Sequence, residues 1–194
     1  MHEIEPYYHW RDYYVASEDR LSPFYNREYS ELQFSNTIYN FYIHPQWDFF
    51  GSSTLYCKVL YADYETSFAI IEFIGEWNDA LHNDIMELKR SVIDPMINKG
   101  ISHFVLIGEN VLNFHTSDEL YYEEWYEDIK DQDGWIVAVN FRDHVIEEMQ
   151  HSRIHHFVHL GPHYNNILWR KFKPQQIPAL IERILLKYLN WFRW

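Results

Sequence analysis

From residue 53 onward the apolar and polar positions fall into two alternating rhythms. "STLYCKVLYA" (53–62) and "SFAIIEFIGEW" (67–77) are dense in β-branched and aromatic residues, and each predicts a strand. "DYET" (63–66) lies between them as a turn, so the pair predicts a hairpin. The period then changes. Leu81, Ile85, Leu88 and Val92 recur every three or four residues and would share one helical face. Asn78 or Asp79 can cap that helix, Pro95 disturbs its last turn and Gly100 ends it.

The same rhythm repeats. "ISHFVLIG" (101–108) predicts a buried strand, and a second helix starts near residue 118. "GWIVAVNF" (134–141) is almost continuously apolar, which suits a parallel strand covered on both faces. "RDHVIEEMQHSRI" (142–154) predicts a helix with Val145, Ile146 and Met149 as its apolar contacts, and "HHFVHLG" (155–161) predicts a last strand. Pro174 and Pro178 then introduce a terminal helix whose apolar stripe is Ile177, Leu180, Ile181, Ile184, Leu185, Tyr188 and Trp191. This order implies an α/β fold: a mainly parallel mixed sheet, a leading β-hairpin and about four helices over residues 51–194.

Residues 1–50 break both rhythms. They hold 15 Tyr, Trp or Phe residues among polar and turn-forming ones, and "NTIYNFYI" (36–43) is the one strand-like run. No Gly/Ser linker separates this extension from the rest, so it is expected to bury its rings on the α/β domain.

Composition narrows the function classes. The formal net charge of −13 argues against nucleic-acid binding, because phosphate backbones select basic surfaces. One cysteine, Cys57, permits no disulfide within the chain, and its apolar run suggests a small core residue. "MHEIEPYYHWRDYY" has neither a basic nor an apolar signal region, and no apolar run approaches a membrane span, so a cytoplasmic location is expected.

Three stretches align in order with a known family. "IIEFIGEWNDA", "GISHFVLIGENVLNFHTSDEL" and "GWIVAVNFRDHVIEEMQHSRIHHFVHL" resemble successive strand-to-helix units of the STAS domain, the fold of bacterial anti-sigma-factor antagonists, over about residues 53–190. The resemblance implies a non-catalytic regulatory module that binds a protein partner, kinase-like or basic, through the loop before the second helix. Family members that act as switches carry Asp-Ser-Ser-Gly in that loop and are phosphorylated there. The matching residues here are His115, Thr116, Ser117 and Asp118, which places Thr116 at the acceptor position with Ser117 beside it.

Read on their own, Thr116 and Glu119 have the spacing of a capping box, with acid at the positive end of the helix dipole. Between Asp118 and Asp133 there are eight acids and one base, Lys130, interleaved with aromatic rings. The helix is then either a solvated acidic face over a buried aromatic one or a docking surface for a basic partner, with Trp125 or the tyrosines as anchors; on the second reading Thr116, Ser117, Glu119, Glu123 and Trp125 are the candidate partner-binding residues.

A second candidate lies at the strand ends, where open α/β sheets bind ligands. Glu76, Glu109, Asn110 and Asn140 would line such a crevice, as the site of a small-molecule or lipid ligand or of an enzyme. No phosphate-binding glycine loop or nucleophile motif accompanies them, so no cofactor is expected. "HSRIHHFVHLGPH" (151–163) is rich in histidine, but its spacing matches no zinc module, and no metal is assigned to it. Arg170 to Trp194 holds six Lys or Arg and one Glu, and could meet the acidic helix of a second copy in a homodimer.

Overall fold

The computed structural model describes residues 4–30, 32–116 and 119–189. Its leader carries a short hairpin, β1 (Thr37–Ile38) and β2 (Phe41–Tyr42). Tyr39 turns it with a φ of 54°, the left-handed geometry that two-residue hairpin loops require. The main sheet has four strands in the order β3 (Leu55–Asp63), β4 (Phe68–Asn78), β5 (His103–His115) and β6 (Trp135–Val139). The first pair is antiparallel and the other two are parallel.

The predicted hairpin and parallel strands are thus present, and both sheet faces are buried. Phe104 and Leu106 point into the core beneath the helices, while Val105 and Ile107 point into the core beneath the leader and the C-terminal helix. This two-sided burial is why β5 and β6 read as continuous apolar runs.

The first predicted helix is divided. It comprises α1 (Asp79–His82), α2 (Asp84–Leu88), a π-helical turn (Lys89–Ile93) and α3 (Asp94–Ile97). Asn78 caps α1, its Oδ1 accepting from the Leu81 amide at 3.0 Å. The π turn lets Pro95 enter in the first turn of α3, where its missing N–H is not needed. Ile85, Leu88 and Val92 are buried as expected, but Leu81 is 79% exposed. The left-handed Asn83 (φ 55°) separates α1 from α2 and rotates Leu81 off the shared face.

Helix α4 (Leu120–Lys130) packs Tyr122, Trp125 and Ile129 inward, and α5 (Asp143–His151) packs Val145, Ile146 and Met149. Helix α6 (Ile177–Leu189) lies over the opposite face, with Ile177, Ile181 and Leu185 beside Trp10 of the leader. Of the terminal stripe, Trp191 lies outside the described residues, and so does the side chain of Tyr188.

The predicted last strand does not form. Ile154–His156 is a 3-10 turn, and residues 157–160 contribute a single parallel bridge between His159 and Val137. Arg153 (φ 62°) and Gly161 (φ 125°) turn the chain on either side, so the stretch is too short to extend the sheet.

The expected burial of the leader holds for Trp10, Phe24, Trp47 and Phe50, whereas Tyr39, Phe41 and Tyr42 on its hairpin remain exposed. Gly75 shows why the β4 end needs glycine. Its φ is +121°, and a Cβ there would fall 2.1 Å from the Thr54 carbonyl oxygen. No described helix is long and apolar enough to cross a membrane.

Candidate functional site

A cleft of about 710 Å³ opens where the end of β6 meets the middle of β5. It is lined by Glu109, residues 140–143 and residues 165–171. A bulge in β5, where Glu72 pairs with Ile107 and Ile74 pairs with Asn110, positions its floor. Glu109 falls in that bulge, on the same face as Ile107. Bulges commonly re-aim side chains next to sites in this way.

Glu109 gathers the surrounding elements. Its Oε1 accepts from Asn140 Nδ2 at 2.8 Å and from the Trp169 indole N–H at 2.9 Å. Its Oε2 accepts from Arg170 Nη1 at 2.5 Å. Burial pushes the Glu109 carboxyl upward, but these three donors outweigh it and hold the group below its ordinary range. Asn140 is equally committed. It donates to the Ile167 carbonyl at 2.9 Å and accepts from the Ile167 amide at 2.9 Å, which fixes the 165–171 wall.

Beneath Arg170 lies a second carboxylate. Glu72 is 1% exposed in the middle of β4. Arg170 Nη2 lies 3.5 Å from its Oε1, and the Tyr7 amide donates to its Oε2 at 2.9 Å. The guanidinium sits 4.1 Å from the Trp169 ring centroid and 5.6 Å from that of Tyr7. Desolvation raises Glu72 to about 7, partly opposed by Tyr7 and Arg170 and reinforced by Glu109.

The mouth of the cleft is basic. Arg142, Arg170 and Lys171 line it, against Glu109 and Asp143. Arg142 is also the N-cap of α5 and supplies no side-chain cap, so the positive end of this helix opens on the cleft.

Of the expected crevice residues, Glu109 and Asn140 come together. Glu76 and Asn110 do not join them. Glu76 accepts from Tyr39 Oη at 2.5 Å and from Asn113 Nδ2 at 3.0 Å, so it braces the leader hairpin. Asn110 is half-buried in the pairing with Ile74 and does not line the cleft. Arg142, Arg170, Asn165 and Glu72 were missed. The lone acid in the apolar run "IIEFI" was the one available signal.

The α4 region differs more from expectation. Trp125 is 0% exposed, with its ring 5.1 Å from Phe104, so it is a core residue and cannot anchor a partner. Helix α4 begins at Leu120 with Glu119 as N-cap and no side-chain cap, so the Thr116–Glu119 capping box does not form. The β5 strand runs on to His115, well past its predicted end, and leaves Thr116 outside the helix. Ser117 and Asp118 lie outside the described residues.

Glu123 is exposed, and Glu119 is half-buried with Arg153 3.9 Å away. Glu124 and Asp128 turn to the buried Lys89, at 3.2 and 2.6 Å. The neighbouring Tyr122 is buried and donates to Asp79 Oδ2 at 2.8 Å. Among the described residues no group of three or more His, Cys, Asp or Glu is placed to hold a metal ion.

No protein-family model and no curated protein matches the chain.

Proposed function

We propose that the protein binds a small anionic molecule, bearing a carboxylate or phosphate group, in the cleft beside Glu109 at the end of β6. One observation carries this reading. Arg142, Lys171 and the uncapped start of α5 line a cleft of about 710 Å³, where Arg170 already answers Glu109, in a chain whose net charge is −13. A cleft of that size suits a metabolite-sized ligand, and anions favour helix N-termini. The role is binding rather than catalysis, because both Glu109 oxygens are already committed as acceptors and its carboxyl is held ionised.

Thermal shift against a panel of phosphorylated and carboxylated metabolites tests it. A binder at one hundred times its Kd should stabilise the fold by about 2.7 kcal/mol. Arg142→Ala with Lys171→Ala should abolish that shift. A panel with no stabilising member, and no ligand retained in native mass spectrometry, would refute the proposal.

A second reading follows the resemblance of the sequence to the STAS domain. It is a regulatory module that docks a basic or kinase-like partner on α4 and is phosphorylated at Thr116 or Ser117. Its support is the exposed acidic row of Glu123, Glu127, Asp131 and Asp133. A pull-down partner lost on Glu123→Lys with Glu127→Lys would favour it, and phosphate-free Thr116 and Ser117 under all growth conditions would remove the switch.

A further inference from the structure

We propose that the leader segment from Pro6 to Tyr14 is a strap whose seating on the sheet is set by the protonation of Glu72. The strap braces the Trp169–Arg170 wall of the cleft, but the proposal does not depend on an anion binding there.

The strap is held at few points. The Tyr7 amide donates to Glu72 Oε2 at 2.9 Å, and this bond reaches the sheet itself. Tyr7 Oη donates to the Arg170 carbonyl at 3.2 Å, and Trp10 Nε1 donates to the Phe172 carbonyl at 3.1 Å. The Tyr7 and Trp10 rings rest edge-on against Trp169, at 4.9 and 5.3 Å. Beneath the strap is a cavity of about 250 Å³, lined in part by Trp10, Tyr14, Lys58 and Leu60. The strap is therefore bonded to the sheet at Tyr7 and seated on it through the buried Trp10, with the cavity beside that ring and exposed residues at Tyr8, His9 and 11–13.

The charges around Glu72 do not balance it. Lys58 faces it across β3 in register but turns to Asp48, 3.1 Å away. Glu109 on β5 adds a like charge. Arg170 lies 3.5 Å away and is closer to Glu109, at 2.5 Å. On the strap side the Tyr7 amide is a neutral donor. An ionised Glu72 is thus buried with one cation, 3.5 Å away and shared with Glu109, which favours the protonated form while the strap is seated.

Linkage fixes the sign. With the strap seated, Glu72 titrates at about 7; once exposed, it returns toward its ordinary 4.5. The seated state holds a proton that the open state releases, so rising pH favours opening. Between about pH 6 and about pH 8 the opening equilibrium should grow about tenfold, and it should level off above that.

Hydrogen exchange of the full chain tests this, with each rate corrected for intrinsic pH dependence. Protection of the Tyr7 amide and of residues 8–14 should fall about tenfold from about pH 6 to about pH 8, while α4 stays constant. In Glu72→Gln the strap should be protected to the same degree at every pH. In Arg170→Ala, which removes the one cation near Glu72, the midpoint should move to higher pH. Constant protection in the wild type, or the same pH dependence in Glu72→Gln, overturns the proposal. Should Glu72→Gln fail to fold, an unmoved midpoint in Arg170→Ala overturns it instead.

Discussion

Replacing Glu109 by alanine tests whether one carboxylate assembles the cleft. Trp169 is buried, so without Glu109 its indole N–H loses its acceptor. An unsatisfied buried donor costs about 1–3 kcal/mol. Asn140 also loses an acceptor, although it keeps its two bonds to Ile167. The ion pair with Arg170 adds little, because the side chains are 26% and 43% exposed and solvent screens them, to about 1 kcal/mol at most.

Glu109→Ala should therefore cost about 2–4 kcal/mol. Glu109→Gln keeps an amide oxygen for Trp169 and Asn140 and should cost about 1 kcal/mol. Urea denaturation at neutral pH measures both, read as a midpoint shift at constant slope. The folded Glu109 carboxyl titrates below its ordinary value of 4.5, so its stabilisation is present above that value and is lost as pH falls through the folded pKa. The gap between wild type and Glu109→Ala should close in acid accordingly. Equal costs for the alanine and glutamine variants would refute the assignment, as would an alanine cost under about 0.5 kcal/mol.

Other consequences are open to the same measurement. Lys89 is fully buried between Asp94 and Asp128, each 2.6 Å away, so Lys89→Met should cost about 2–3 kcal/mol after allowing for the half-exposed carboxylates. Asp94→Asn in that background should recover part of the loss by removing like-charge repulsion. Trp125→Ala should cost about 3–5 kcal/mol as a core cavity, while Glu123→Lys stays within about 0.5 kcal/mol; the reverse order would restore Trp125 as a surface anchor. Gly75→Ala should lower Tm sharply, because Thr54 leaves no room for a Cβ at that φ. Burial raises Asp79 to about 7, against hydrogen bonds from Tyr122 and Ile85, so its contribution to stability falls as pH rises from about 4 to about 7. Comparing the slopes of wild type and Asp79→Asn over that range checks the sign.

Much of the scaffold was legible in the chain because its signals are local. The hairpin of β3 and β4, the parallel pair β5 and β6, and the inward face of α5 follow from periodicity. The errors arose where a neighbour's position overrides a local pattern. Thr116 and Glu119 have cap spacing, yet β5 extends to His115 because β4 offers partners as far as Asn78. Trp125 sits among acids, yet it occupies the inward face of α4 against Phe104. "HHFVHLG" has strand composition, but the turns at Arg153 and Gly161 leave it one bridge.

What the sequence determined by itself is the alternation of strand and helix, the two-sided burial of the central strands and the acidic balance of the surface. These depend on residue type and spacing within a dozen positions. The cleft is different. Glu109, Asn140 and Arg170 lie 31 and 61 positions from one another along the chain, measured from Glu109. Glu72 meets Tyr7 across 65. Only the folded sheet decides which carboxylate lies beside which cation, and burial there decides which of the two stays charged.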